Sequence, residues 1–250
     1  MKFLQENYLW VTLFLTSLFW TCSPKISEHP KPLANGSDIK ALAIADEVVK
    51  AMGGQQAWEE TRCISWNFFG RRKLTWDKRA GLCRIEWLNK PLKIIVNLNN
   101  ATGKVNLNGI EQTHPDSLAK YLDIGKKVWI NDSYWLVMPF KMKDPGVTLK
   151  YLGEAKTEAG QTSDLLQMTF SGVGVTPENK YQVWVDKTSR LVTQWAYFEK
   201  FSNEKPDIVN AWSDYSRYGK IMISTGRGSR GTLGPVEVLD VIPVGVFEQF

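Results

Sequence analysis

The chain has 250 residues, 43% of them hydrophobic, with 31 Lys and Arg against 26 Asp and Glu and a formal net charge of +5. That composition suits a globular protein with one good core and excludes a disordered or collagen-like chain. The basic residues are scattered, densest at Arg71-Arg72-Lys73 and at 227–230, so they leave no clustered footprint for nucleic acid, and no nucleic-acid partner is expected. The 11 Trp suit a core or a hydrophobic ligand cleft, because each has a large apolar body and a single donor.

Residues 8–20 are apolar apart from Thr and Ser. The run is short for a bilayer span, which takes about 20 apolar residues, and it fits the apolar region of a secretory signal. Cys22 follows at once, in Phe19-Trp20-Thr21-Cys22. A cysteine in that place resembles the lipobox of bacterial lipoproteins, in which the signal is cut before Cys and the cysteine carries the acyl chains. The usual pattern has Leu first and a small residue directly before Cys; Phe19 and Trp20 depart from it. Residues 1–21 are read as signal peptide and Cys22 as the lipidation site. Residues 22–37 hold Pro24, Pro30, Pro32, Asn35 and Gly36 and read as a proline-stiffened tether. Ser23 stands where an inner-membrane retention signal would often show Asp. The expected location is therefore the periplasmic side of the outer membrane, with the membrane reached through the lipid anchor.

Residues 38–250 read as one domain. Asp38 is placed to cap a helix whose Ile39, Leu42, Ile44, Val48, Val49 and Met52 keep mostly to one face, and Gly53-Gly54 stops it. A second short helix covers 55–60 with Trp58 inward. Residues 62–76 and 82–87 are expected to form a hairpin. Cys63 and Cys83 then lie apart on it and read as buried small hydrophobes, unless a break at Gly70 folds Cys63 back. Strands follow at 92–98 and 102–107. His114-Pro115-Asp116 approaches a helix over 117–131, with Gly125 inside it. Residues 134–140, Tyr-Trp-Leu-Val-Met-Pro-Phe, read as a strand with Pro139 at an edge or bulge. Asp144-Pro145-Gly146 is the turn after it, with Pro and Gly at the central positions of a type II turn. Strands resume at 147–152, 163–170, 181–186, 191–198, 208–218, 220–225 and 235–241. The fold class is thus mainly β with a few helices. About ten strands in a single large antiparallel sheet twist and curl, which gives a half-open barrel with helices covering the open side.

Chemistry-bearing clusters are sparse. His29 lies in the tether and His114 at a helix approach, so no histidine-centred catalysis and no zinc site is expected. Asp144, Asp186, Glu199 and Asp214 sit near strand ends, where two could meet as a carboxylate pair. Turn initiation explains Asp144 and Asp186 more simply and is the preferred reading. The glycines at 172–174 and 226–231 lack the strand–loop–helix setting of a phosphate cradle and read as flexible loops. The second of them is basic enough to meet an anionic headgroup or glycan. No cofactor is expected.

Several stretches carry a family resemblance: ADEVVKAMGGQQAW, SWNFFGRRKLTWD, DSYWLVMPFKMKDPG, YQVWVDKTSRLVTQW and WSDYSRYGKIMIS. They resemble a Bacteroidetes-type family of Gram-negative lipoproteins with no assigned activity. More remotely, the chain is similar to the periplasmic lipoprotein carrier and outer-membrane lipoprotein receptor of the Lol pathway. That likeness implies a half-open barrel with a helical lid over an apolar cavity. The expectation is a binding protein without catalytic residues, holding an acyl chain, lipid or lipoprotein anchor. Its candidate lining is Trp66, Phe68, Trp76, Trp87, Trp135, Trp184 and Trp195. The alternatives are a carboxylate-based hydrolase of envelope lipid or glycan, and a structural lipoprotein docked on an envelope protein.

Overall fold

A computed structural model describes residues 36–250. The residues read as signal peptide, Cys22 and nearly all of those read as tether lie outside the described residues. Helix α1 (Ile39–Ala51) buries Ala41, Ile44, Ala45, Val48 and Val49 along one stripe, the spacing of an amphipathic helix. Asp38 stands at its N-cap position, but its side chain makes no cap bond. The carboxylate instead accepts from the Tyr151 N–H and from Lys150 Nζ, both at 3.0 Å. Helix α2 (Gln55–Glu60) follows, and Trp58 stacks on Phe140 with ring centroids 4.4 Å apart.

Six strands come next: β1 (Cys63–Phe68), β2 (Arg72–Asp77), β3 (Leu82–Trp87), β4 (Leu92–Asn97), β5 (Gly103–Leu107) and β6 (Ile110–Glu111). The break at Gly70 exists: Phe69 and Gly70 both take positive φ, 49° and 65°, and turn β1 into β2. Cys63 then pairs with Asp77 and Cys83 with Trp76, so β2 lies between the two thiols. Both cysteines are free and buried.

Helix α3 (Pro115–Lys141) corrects the strand expected over residues 134–140. A run that is apolar at every position has no helical period to betray it, so it reads as a strand. Pro139 does distort the helix, since Val137 leaves helical geometry at φ −121° and ψ 15°. The helix also lies close on the first sheet. A Cβ on Gly125 would sit 2.8 Å from Ile94 Cγ2, so only glycine permits this approach. Asp132, fully buried, receives Arg72 Nε at 2.8 Å and Nη2 at 2.9 Å, which ties the helix to β2. Burial pushes this carboxyl up while Arg72 pulls it down.

The turn after α3 is as expected, with the Val147 N–H reaching the Asp144 carbonyl at 3.1 Å and Gly146 at φ 83°. The second half holds β7 (Val147–Lys156), β8 (Thr162–Phe170), β9 (Lys180–Asp186), β10 (Val192–Phe198), β11 (Ile208–Ala211), β12 (Ser213–Tyr218), β13 (Ile221–Gly226) and β14 (Leu233–Leu239). Three antiparallel sheets result, not one. Their orders are β14-β1-β2-β3-β4-β5-β6, β11-β10-β9-β8-β7, and the pair β12-β13. The strand expected over residues 208–218 divides at Trp212. Its N–H donates to the Thr193 carbonyl at 2.8 Å, and Asp214 takes a positive φ of 57° just beyond. β12 therefore leaves β10 and pairs with β13. No closed ring of strands forms among the described residues.

Residues 226–231 also differ from expectation. Arg227 is no surface cation: it is fully buried, with its guanidinium 3.5 Å from the Trp212 ring centroid. It donates to Ser224 Oγ at 2.9 Å, to the Gly226 carbonyl at 2.5 Å and to the Trp135 carbonyl. Burial holds its pKa down to about 9, against the opposing pull of Tyr215 and Asp214.

Candidate ligand-binding cavity

A cavity of about 770 Å³ opens between the C-terminal half of α3 and one face of the five-stranded sheet. The helix supplies Tyr134, Trp135 and Met138, and the turn after it supplies Asp144 and Pro145. From the sheet come Phe170 at the end of β8, Tyr181 on β9, and Trp195 and Tyr197 on β10. Alternation along a strand sends Trp195 and Tyr197 to the same face. The antiparallel register then sets Tyr181 opposite Tyr197. Trp212 and Ile208 complete the wall, and residues 173–176 form part of the rim.

The aromatic rings touch one another in series. Trp135 meets Trp195 edge-on at 5.0 Å, Trp195 meets Tyr181 at 5.2 Å, and Tyr181 meets Phe170 at 4.9 Å. These are favourable edge-to-face spacings and hold the wall in a fixed shape. Polar groups gather where helix and turn meet. Lys141 pairs with Asp144 at 2.5 Å, and its ammonium lies 5.7 Å from the Tyr134 ring centroid. Asn179, almost fully buried, accepts from Thr176 Oγ1 and donates to the Glu199 carbonyl at 2.6 Å. Burial drives the hydroxyls of Tyr134 and Tyr181 above the ordinary tyrosine range, so both stay protonated.

Of the seven residues expected to line a cleft, Trp135 and Trp195 are in this wall. Phe68 is one layer behind, edge-on to Trp135 at 6.3 Å. Trp66 is buried in the main core, and Trp76 lies between Trp58 and Trp129. Trp87 is half-buried near Lys90, whose ammonium lies 4.8 Å from its ring centroid. Trp184 packs with Ala196 and Phe198 in a separate cluster. Sequence reasoning missed Tyr134, Phe170, Tyr181, Tyr197 and Trp212. Alternation did hold part of the signal: Tyr197 is two residues from Trp195, and Trp184 is an odd number of residues from Tyr181.

The four strand-end carboxylates stay apart in role. Asp144 is the one carboxylate among the residues lining the cavity. Asp186 caps its own turn, accepting from the N–H groups of Thr188 at 3.1 Å and Ser189 at 2.6 Å, and those bonds hold its carboxyl below the usual range. Asp214 lies on β12 and Glu199 just past β10. Among the described residues no group of three or more His, Cys, Asp or Glu is arranged to hold a metal, and no helix is long and apolar enough to cross a membrane.

No known protein family and no curated protein matches the chain. Among solved structures, it is similar to a DUF1329 family protein from Desulfovibrio piger ATCC 29098, with 14% identity and a TM-score of 0.48, covering 83% of this chain and 97% of that one. It is also similar to MucB, solved in complex with MucA(peri), with 12% identity and a TM-score of 0.24, covering 82% of this chain and 66% of that one.

Proposed function

We propose that the protein is a membrane-tethered lipoprotein that holds a hydrophobic ligand, such as an acyl chain, a lipid or a lipoprotein anchor, without transforming it. The observation that carries this reading is the aromatic-walled cavity of about 770 Å³. Its volume falls within the roughly 300–1,000 Å³ range of small-molecule sites, and like them it is apolar with a few placed polar groups. In this reading the sheets curl into a half-open barrel with α3 as part of its cover: β12 and β13 stand between the two larger sheets in the chain, and α3 packs on β4, β5 and β13. Cys22 would carry the lipid anchor, with the domain held at the periplasmic side of the outer membrane. An envelope protein is a further partner in this reading.

The rival hydrolase reading needs two carboxylates about 5–9 Å apart at the site. Asp144 stands there without a second and is engaged by Lys141, which favours binding over catalysis. The test is lipid analysis of the purified protein followed by titration with a fluorescent fatty acid. Co-purified lipid and saturable uptake, lost when Trp195→Asp charges the wall, are expected. A lipid-free protein that takes up no fatty acid sinks the reading.

A further inference from the structure

We infer that the cavity takes its ligand by an acyl carbonyl group, with the hydroxyls of Tyr134 and Tyr181 as the two donors that receive it. The inference rests on the hydrophobic-ligand reading and adds the chemistry of the ligand's polar end. Tyr134 on α3 and Tyr181 on β9 approach from opposite walls, with ring centroids 6.1 Å apart. Both rings pack edge-on against Phe170, at 6.1 and 4.9 Å. Neither hydroxyl has a hydrogen-bond partner among the described residues. Other tyrosines of the same fold are satisfied: Tyr151 donates to Asp164 at 3.1 Å, and Tyr215 to the Val192 carbonyl at 2.9 Å.

A phenol in apolar surroundings normally finds a partner, because an unmade bond there is costly. Tyr134 and Tyr181 are both partly exposed in the cavity wall, so their phenols are open to an acceptor that enters it. Burial keeps both protonated, with Asp144 adding to the effect at Tyr134 and Tyr197 at Tyr181, so they serve as donors. A carbonyl oxygen has two lone pairs and no proton, which suits two O–H groups. An alkylammonium fits poorly. Its charge would lose water without gaining a carboxylate, since Asp144 is already held by Lys141 at 2.5 Å. A free fatty acid and an esterified acyl chain share the acceptor chemistry.

The test titrates the full chain with decanoate, methyl decanoate, decylamine and decane, read by tryptophan fluorescence, because Trp135 and Trp195 stand in the wall. One or both carbonyl ligands should bind roughly ten-fold more tightly than decylamine and decane, the scale of two modest hydrogen bonds. In Tyr134→Phe/Tyr181→Phe that preference should shrink to about two-fold or less. The melting temperature should hold, because no protein bond is removed, and the single variants should each lose part of the preference. Methyl decanoate ahead of decanoate assigns the site to esterified chains; the reverse order assigns it to free acids. Equal binding of all four ligands, or a preference that survives the double variant, overturns the inference while leaving hydrophobic-ligand binding intact. Failure of all four to bind overturns both.

Discussion

Arg227 donates through Nη2 to the carbonyl of Trp135, the residue four places before Pro139. In a regular helix that carbonyl would receive the N–H of residue 139, which proline lacks. The guanidinium thus replaces a missing rung of α3 from another part of the chain. Arg227→Met should lower stability by about 1–3 kcal/mol, the cost of leaving buried carbonyls unpaired. In a Pro139→Ala background the same substitution should cost less, because the restored N–H serves the Trp135 carbonyl. Urea unfolding of the four proteins measures the difference. Equal costs in the two backgrounds would show that the arginine and the proline act independently.

Gly125 sits inside α3, where alanine would raise helix propensity by about 1 kcal/mol. The space does not allow it: the added methyl would meet Ile94 Cγ2 at 2.8 Å. Gly125→Ala is therefore expected to destabilise by about 1–3 kcal/mol, the usual cost of overpacking. Ile94→Val in the same protein should recover part of the loss. Thermal unfolding decides it, and a melting temperature at or above wild type would show that the helix simply slides.

Lys78 donates to the Trp58 carbonyl and lies 3.3 Å from the Trp58 ring centroid. Burial lowers its pKa from 10.5 to about 8. Below about pH 8 the ammonium is charged both folded and unfolded, and the cost of burying it is constant. Between about pH 8 and 10.5 the folded chain holds fewer protons than the unfolded one, so stability should rise with pH. Cys63, whose thiol burial raises to about 11, and Cys83 act in the opposite sense above about pH 9. The lysine is therefore read most cleanly between pH 8 and 9. Chemical denaturation at those two values should show a gain for the wild type that is absent in Lys78→Met.

Cys22→Ser should abolish lipid attachment and signal removal while leaving the folded domain intact. Labelled palmitate should enter the wild type and not the variant. Two or more acyl chains anchor a protein stably and one does so marginally, so the variant should also leave the membrane fraction if its signal is cut by another route. Equal labelling of both proteins, or a mature N-terminus well downstream of Cys22, would contradict the lipoprotein reading.

What the sequence made legible follows from how each signal is carried. The strand from Leu82 to Trp87 was readable because it alternates after the turn that ends in Gly81, but residues 62–76, read as one strand, divide into β1 and β2 at Phe69 and Gly70, where the chain turns back on itself. The helix over 134–140 was hidden, since a stretch apolar at every position has no polar face and Pro139 argued against it. The partner that makes Pro139 tolerable lies 88 residues later in the chain, beyond any local pattern. The division of 208–218 into two strands depends on Trp212 being drawn into the core, which is again a tertiary effect. At the cavity, tryptophan count alone could not separate wall from core. Trp135 and Trp195 meet there because a helix and a sheet face each other; of the tyrosines beside them, only Tyr197 carried a local mark, its alternation with Trp195.

Asp38 is joined to β7 as well as to its own helix: its carbonyl receives the Leu42 N–H at 3.0 Å, its N–H donates to the Leu149 carbonyl at 2.9 Å, and its carboxylate accepts from the Tyr151 N–H and Lys150. Ser37 adds a bond, its Oγ accepting from the Leu149 N–H at 2.9 Å. A pull applied through the preceding residues is therefore delivered to one strand at the margin of its sheet. That strand begins at Val147, which lines the cavity, so the first described residues are fastened to a strand that is itself part of the cavity wall.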